Sequence, residues 1–194
     1  MKRETIDTVS PVLEEYGEMT RSAMTEYLPN WEPLDYLYKP MAEYPRRGGK
    51  FMRPSLCIAT ASAFGAPPER AVKAAVAIEM LHNALLIHDD IEDESEERRG
   101  QKTLHTIHGV PIALNAGDAL AMMSLRPMLD SVRQIGPDLV LAVLRDMERM
   151  ARESAEGQAM ELGWRADPSV SVTRDNYLEM VLKKTCWLAA IFPC

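Results

Sequence analysis

The sequence is poor in several residue types and patterns, and each shortage excludes a class of protein. Its three cysteines are scattered, so they supply neither a disulfide framework nor the paired spacing of a zinc site, and we expect a reducing, cytoplasmic location. No apolar run is long enough to span a bilayer, and the N-terminus lacks the apolar core of a signal peptide. A net charge of -7 and the lack of a basic tract argue against nucleic acid as a partner.

The residues that are abundant favour helices. Apolar residues make up 46% of the 194 residues, enough for one domain with a core, and 13 methionines against three phenylalanines suggest an adaptable helical interior. Apolar positions recur at helical spacing, and no segment alternates as a strand does. We therefore expect an all-α single domain over residues 1–194. Residues 1–44 are expected to form an N-terminal helix, starting at Ser10-Pro11, and proline-rich turns, and residues 45–194 a helical core.

The central helix is predicted to run from Glu69 to about Glu94, because this segment is apolar almost all round and should be buried. Its polar residues recur at three- and four-residue steps along one side: Glu79, His82, Asp89 or Asp90, and Asp93. The acidic run Asp89-Asp90-Ile91-Glu92-Asp93 is unfavourable at a helix C-terminus, because like charges repel and oppose the helix dipole. It indicates a site for a hard divalent cation, although a solvated helix end is the alternative.

Two basic segments accompany the acidic one. The first, Arg46 to Pro54, places Lys50 and Arg53 around Gly48-Gly49 just before a predicted helix, an arrangement suited to phosphate. A basic solvated turn is the alternative. The second, Arg98-Arg99-Gly100, supplies either charge partners for the carboxylates or clamps for an anion. Together the three segments suit a diphosphate substrate neutralised by Mg²⁺, lysine and arginine.

The rest of the chain is predicted in outline. Residues 30–44 are expected to form short turns because of their prolines, and residues 101–109 a loop. Further helices are expected at 112–125, 138–163 and from Tyr177 onward, with Thr173 as a cap for the last. His88 is placed off the acidic side, in a core or an interface. The uncharged tail after Thr185 lacks a cap, so we expect the domain to be incomplete at its C-terminus.

These motifs resemble the trans-isoprenyl diphosphate synthases, the polyprenyl synthetase family. The resemblance covers about Tyr44 to the C-terminus and rests on motifs in the family's order and spacing: Gly48-Gly49-Lys50-x-x-Arg53-Pro54, Glu79-x-x-His82, Asp89-Asp90-x-x-Asp93, Arg98-Arg99-Gly100, Asn115-Ala116-Gly117-Asp118, Gly157-Gln158 and Lys184-Thr185. It implies a class I isoprenoid synthase-type helical bundle around a central cavity, with its C-terminal helices missing. The implied reaction condenses an allylic diphosphate with isopentenyl diphosphate to a longer trans-prenyl diphosphate.

The resemblance also implies roles for individual residues. The metal ligands would be Asp89, Asp90 and Asp93, holding Mg²⁺ or, as the alternative ion, Mn²⁺. Arg98 and Lys184 would contact the allylic diphosphate, with Thr185 and Gln158 near it. The diphosphate of isopentenyl diphosphate would be bound by Lys50, Arg53, His82 and Arg99. Ala84 and Leu85 stand where bulky aromatics limit product length in the family, so a product of geranylgeranyl length or longer is expected.

The sequence departs from the family pattern in three places. Phe51 stands where a further arginine is common, Glu161 replaces an aspartate, and the family's second aspartate-rich motif does not occur in the sequence. A homodimer is therefore expected, or a heteromer with a chain that supplies that motif. Two other hypotheses remain open: a non-catalytic subunit of a heteromeric synthase, and a class I terpene cyclase.

Overall fold

The structure, a computed structural model, describes residues 9–194 and is built almost entirely from helices. The helices are α1 Ser10–Met24, α2 Lys39–Arg46, α3 Met52–Ala63, α4 Val72–Glu92, α5 Leu104–His108, α6 Val110–Met123, α7 Arg126–Asp130, α8 Val132–Ile135, α9 Pro137–Ala166 and α10 Arg174–Val181. Short 3₁₀ turns cover Thr25–Tyr27 and Pro68–Arg70, and π-helical segments cover Leu34–Tyr38 and Leu182–Ile191. The expected all-α fold is confirmed.

Helix α4 is the centre of the molecule, as its apolar sequence predicts. It packs against α1, α3, α6 and α7. One side contributes Val76, Met80 and Ala84 to a core shared with α2 and α6. Another side contributes Ala77 and Leu81 to a second core shared with α9 and the segment Leu182–Ile191. Because α4 is covered on several sides, its polar residues must either find partners or face a cavity.

A small hairpin joins α4 to α5. Strand β1, Glu97–Arg98, pairs antiparallel with β2, Gln101–Lys102. Arg99 and Gly100 form the two-residue turn, with φ angles of 57° and 73°, the left-handed pattern that such hairpins favour. Two-residue strands are too short to produce an alternating pattern, so the sequence did not predict them.

Two predictions about the segments before and after this hairpin are wrong. Residues 39–44, expected as turns, lie in α2, where Pro40 occupies the first turn and its missing N–H is not needed. Residues 104–108, expected as loop, form α5. The expected division at residue 44 falls inside α2. The predicted cap is confirmed, since the Thr173 hydroxyl accepts the Asn176 N–H in a capping box at the start of α10.

Within residues 9–194, no helix combines the length and the apolar character that a transmembrane span requires.

Candidate active site

One cavity of about 400 Å³ lies between α4, α9 and the segment Leu182–Ile191. Six of the residues that the sequence singled out for substrate or metal line it: Arg53, His82, Asp89, Gln158, Lys184 and Thr185. They come from four elements that are far apart in the chain. Its apolar wall is formed by leucines of the same elements: Leu85, Leu86, Leu162 and Leu188. The cavity therefore has a charged end and an apolar wall.

Asp89 stands at the charged end of this cavity. Its carboxylate lies between two cations, with Arg98 Nη2 3.3 Å from Oδ2 and Lys184 Nζ 3.6 Å from Oδ1. Burial raises the pKa of Asp89 above its usual value, and the negative charge of Asp93 adds to the increase. The charges of Lys184 and Arg98 act in the opposite direction and lower this pKa.

Asp90 points elsewhere and lies outside the cavity lining. Its side chain is 1% exposed, and Arg98 grips it through Nε, 2.8 Å from both carboxylate oxygens, and through Nη2, 2.6 Å from Oδ1. The Tyr44 hydroxyl donates a further hydrogen bond to Oδ2. The family resemblance implies that Asp90 is a metal ligand together with Asp89 and Asp93, whereas in the structure protein donors engage its oxygens.

Asp93 lies one helical turn beyond Asp89 and pairs with Arg165, 2.7 Å from Oδ1. Within residues 9–194, no group of three or more histidine, cysteine, aspartate or glutamate side chains is arranged to hold a metal. Asp89 and Asp93 nevertheless fit Mg²⁺, which prefers oxygen ligands and is usually bound by one or two carboxylates together with water and substrate phosphates. The raised pKa of Asp89 beside Asp93 is the electrostatic situation that a divalent cation relieves.

A basic cluster lies in the same cavity, around His82 of α4. Arg53 Nη1 is 3.4 Å from His82 Nε2, and Arg53 Nε is buried without a hydrogen-bond partner among the described residues. Burial, reinforced by nearby arginines, lowers the pKa of His82 to about 3, so the imidazole is neutral and can accept from Arg53. The unpaired Nε–H is a donor that a phosphate oxygen can take.

Arg99 joins this cluster through the hairpin turn. Its guanidinium packs against Gly49, where a Cβ would lie 3.0 Å from Nη2 and would displace the guanidinium. Glu79 is the buried carboxylate of the cluster, and its Oε1 accepts from Asn83 Nδ2 at 3.0 Å. Burial raises the pKa of Glu79 to about 7, partly offset by Asn83 and by the charges of Arg99 and Arg53.

Lys50 does not join Arg53 at the cavity. It is exposed and lines a separate cleft between α1 and the loop before α3. The reason is Phe51, which adopts a left-handed φ of 48° and buries its ring against Gly17, with the Arg21 guanidinium 4.8 Å from the ring centroid. Turning Phe51 inward leaves Lys50 on the opposite side of the loop from Arg53.

Lys184 and Thr185 reach the cavity because the segment after α10 is π-helical and lies close to α9. A Cβ on Gly157 would be 2.2 Å from the Lys184 amide nitrogen, so only glycine permits this contact. Lys184 then donates to Glu161, and Gln158 donates to Glu92 at the end of α4. Gly157 thus allows Lys184 to approach α9, and Gln158 adds a hydrogen bond across the cavity.

Leu85 and Ala84, the two residues predicted to set product length, have different surroundings. Leu85 lines the cavity, whereas Ala84 is fully buried in the core shared with α2 and α6.

His88, predicted to lie away from the acidic side of α4, lines the cavity and lies 3.2 Å from Asp118. Its ring occupies the space that a Cβ on Gly117 would take. The glycine next to Asp118 was the available signal for this contact.

Comparisons with known proteins point to one family. The family model described as Polyprenyl synthetase matches residues 34–193. The geranylgeranyl pyrophosphate synthase of Geoglobus acetivorans is 36% identical over 94% of this chain and 56% of its own length. The short chain isoprenyl diphosphate synthase of Methanothermobacter thermautotrophicus is 34% identical over 94% and 54%. The chain therefore spans about half the length of the curated relatives it matches.

Solved structures agree as well. The geranylgeranyl pyrophosphate synthetase from Geoglobus acetivorans superposes with a TM-score of 0.86, covering 94% of this chain and 58% of that one, at 36% identity. The geranylgeranyl pyrophosphate synthetase from Pyrococcus horikoshii also gives a TM-score of 0.86, at 34% identity, covering 94% and 57%. Both similarities extend over nearly the whole described chain.

Proposed function

This chain belongs to the polyprenyl synthetase family, and we propose that it takes part in condensing an allylic diphosphate with isopentenyl diphosphate to a longer trans-prenyl diphosphate. The observation that supports the proposal best is the single cavity in which Arg53, His82, Asp89, Gln158, Lys184 and Thr185 meet. Cations at one end and leucines along the wall suit a substrate with a charged head and a hydrocarbon tail.

The two basic groups would serve two diphosphates. Lys184 and Arg98, on either side of Asp89, would neutralise the leaving diphosphate of the allylic substrate. Arg53, neutral His82 and Arg99 would bind the diphosphate of isopentenyl diphosphate, with the free Arg53 Nε–H as one donor. Lys50, on the separate cleft, would reach that diphosphate only through a change in the loop before α3.

In the proposed reaction the allylic C–O bond breaks, and the diphosphate leaves with the bonding electrons. The double bond of isopentenyl diphosphate then forms the new C–C bond, and a proton passes to the released diphosphate, which regenerates a double bond. Mg²⁺ or Mn²⁺, held by Asp89 and Asp93, would supply additional neutralisation of the leaving group. The residues of the wall, Leu85, Leu86, Leu162 and Leu188, would keep water from the cation.

The product is proposed to be of geranylgeranyl length or longer. Leu85 lines the cavity, and the described residues that line it include no phenylalanine, tyrosine or tryptophan. Ala84, the residue before it, is buried in the core outside this lining. The cavity volume of about 400 Å³ falls in the range of small-molecule sites.

We further propose that residues 1–194 belong to one polyprenyl synthetase domain. The chain is proposed to work as a dimer or as a heteromer. Helix α6 and the residues after it expose a row of apolar side chains, interrupted at one helical step by Asp118: Val110, Leu114, Met122, Leu125 and Leu129. Met122 is 70% exposed, and exposed apolar rows of this kind mark interfaces. A second copy of this chain is the proposed occupant of this α6 face. A cytoplasmic location stays a prediction from the sequence.

The test is an elongation assay. The protein is incubated with Mg²⁺, farnesyl diphosphate and labelled isopentenyl diphosphate, alone and with the C-terminal part of the Geoglobus acetivorans synthase as complement. Elongation in either condition, lost in Asp89→Asn and retained in the exposed control Asp138→Asn, supports the proposal. A cyclic hydrocarbon formed without isopentenyl diphosphate would indicate a terpene cyclase. Activity in neither condition, with a changed product from a separate complete synthase, would indicate a non-catalytic subunit.

A further inference from the structure

Tyr44 is buried deep beside the acidic end of α4, although nothing in the proposed reaction calls for a tyrosine there. It is 1% exposed and lies in α2, far in sequence from the residues it touches. Its hydroxyl donates to Asp90 Oδ2 and accepts the Leu104 N–H at 3.3 Å. The Arg47 guanidinium lies 4.7 Å from the ring centroid. Burial raises the pKa of Tyr44 well above its usual range, so the hydroxyl keeps its proton and remains a donor.

Asp90, which accepts this hydrogen bond, also holds Arg98 in place. Asp90 receives the Tyr44 hydroxyl on Oδ2 and Arg98 Nε on both oxygens. A carboxylate with donors on each oxygen cannot rotate about its Cβ–Cγ bond without losing one of them. Arg98 is consequently held in a fork, and its Nη2 reaches Asp89 at 3.3 Å, at the charged end of the cavity.

We propose that Tyr44 is a positioning residue for the diphosphate site: by donating to Asp90 it orients the carboxylate that aims Arg98 at the cavity. This inference rests on the proposed function for the identity of the anion that Arg98 meets. The contact chain itself, Tyr44 to Asp90 to Arg98 to Asp89, is independent of that identity. Removing the hydroxyl frees Asp90 to rotate and Arg98 to leave its fork.

A purely architectural role for Tyr44 predicts a different outcome. The hydroxyl also joins α2 to the start of α5 through Leu104, so its loss could loosen these helices without acting on Arg98. The experiment must therefore observe Arg98 itself. Tyr44→Phe retains the ring and its stacking on Arg47. Tyr38→Phe is the matched control, because Tyr38 lies just before α2 and packs edge-on against Trp31.

The first measurement needs no ligand. Hydrogen exchange of the Arg98 Nε–H is followed by NMR in the ligand-free protein labelled with ¹⁵N-arginine, the signal being assigned by its loss in Arg98→Lys. Exchange is expected to be about fivefold to tenfold faster in Tyr44→Phe and unchanged in Tyr38→Phe. Equal exchange in Tyr44→Phe and the wild type would overturn the proposal. If Tyr44→Phe does not fold, the buried phenolic proton of Tyr44 is compared in the wild type and Arg98→Lys, and an unshifted signal overturns the proposal.

The second measurement is a double-mutant cycle on the binding of inorganic pyrophosphate with Mg²⁺, by calorimetry. Tyr44→Phe is expected to raise the dissociation constant about fivefold in the wild-type background and less than about twofold in Arg98→Lys, because both changes act on one contact. Equal effects in both backgrounds overturn the proposal. If the wild type does not bind pyrophosphate, the proposed function fails, while the exchange of Arg98 Nε–H still decides whether Tyr44 positions Arg98.

Discussion

Gly157 in α9 lies directly against Lys184: a Cβ atom at position 157 would be 2.2 Å from the Lys184 amide nitrogen. Real Cβ atoms do not approach a backbone nitrogen so closely, so any other residue must push the two elements apart. The contact places Lys184 beside Asp89 and Glu161 at the cavity. A glycine in the middle of a long helix is thus a requirement of the site.

Replacing Gly157 with alanine is expected to destabilise the protein by about 2 kcal/mol, because the new methyl group overpacks the contact with Lys184. Gly163→Ala in the same helix is the control, since a Cβ there meets no atom within 4 Å. The control should be neutral or stabilising by up to about 1 kcal/mol, as expected for Gly→Ala in a helix. Urea unfolding of the two variants measures the difference, and equal stabilities would contradict the contact.

Asp89 and Asp90 are adjacent in sequence, yet their conversion to asparagine is expected to change the free energy of unfolding by different amounts. Asp90→Asn should cost about 3 kcal/mol of unfolding free energy, because it leaves Arg98 and the Tyr44 hydroxyl without their buried charged partner. Asp89→Asn should change stability by less than about 1 kcal/mol, since its carboxylate is partly exposed, 27%, and carries a raised pKa.

Chemical denaturation at neutral pH, without added metal, measures both variants. Similar losses for the two would show that Asp90 is no more tightly engaged than Asp89. The two variants also differ in expected activity. Asp89→Asn should abolish elongation in a protein that remains folded.

Glu79 should make stability depend on pH. Burial raises its pKa to about 7 in the folded protein, so the folded state keeps a proton that the unfolded state has already released. The stability that Glu79 contributes is complete below its ordinary pKa and is lost as the pH rises through about 7. Glu79→Gln, neutral throughout, should therefore gain stability relative to the wild type between pH 5 and pH 8, by about 3 kcal/mol in total.

Thermal or urea unfolding of the wild type and Glu79→Gln at several pH values measures this gain. The control is Glu15→Gln, an exposed position on α1. A constant difference for Glu79→Gln over the same range would show that Glu79 is ionised in the folded protein.

The exposed α6 face should govern association with a second copy. Met122→Lys places a charge in the middle of this apolar row and is expected to shift the protein toward monomer, with a dissociation constant raised about tenfold or more. Phe64→Lys is the control, because Phe64 is 89% exposed but lies at the end of α3, away from the row. Sedimentation velocity over a concentration series reports both, and equal behaviour would place the interface elsewhere.

The sequence by itself determined the helical class and the order of the motifs. The near-uniform apolar character of residues 72–92 could only suit a central helix, and the Thr173 cap could be read from a local side-chain preference. The helical spacing of His82 and Asp89 correctly placed both on the cavity side of α4. These features depend on residues within a few positions of one another, which is why a linear pattern is sufficient to predict them.

The tertiary structure decided which partner each polar group has. Asp89 and Asp90 carry the same side chain, yet Tyr44, which lies 46 residues before Asp90, engages Asp90 in the core, while Lys184 approaches Asp89 from the far end of the chain. Phe51 turned Lys50 away from Arg53, a local change whose cause is the packing of Phe51 against α1. Close approach and the pairing of buried charges depend on residues that are distant in sequence and adjacent only after folding, so no periodicity encodes them.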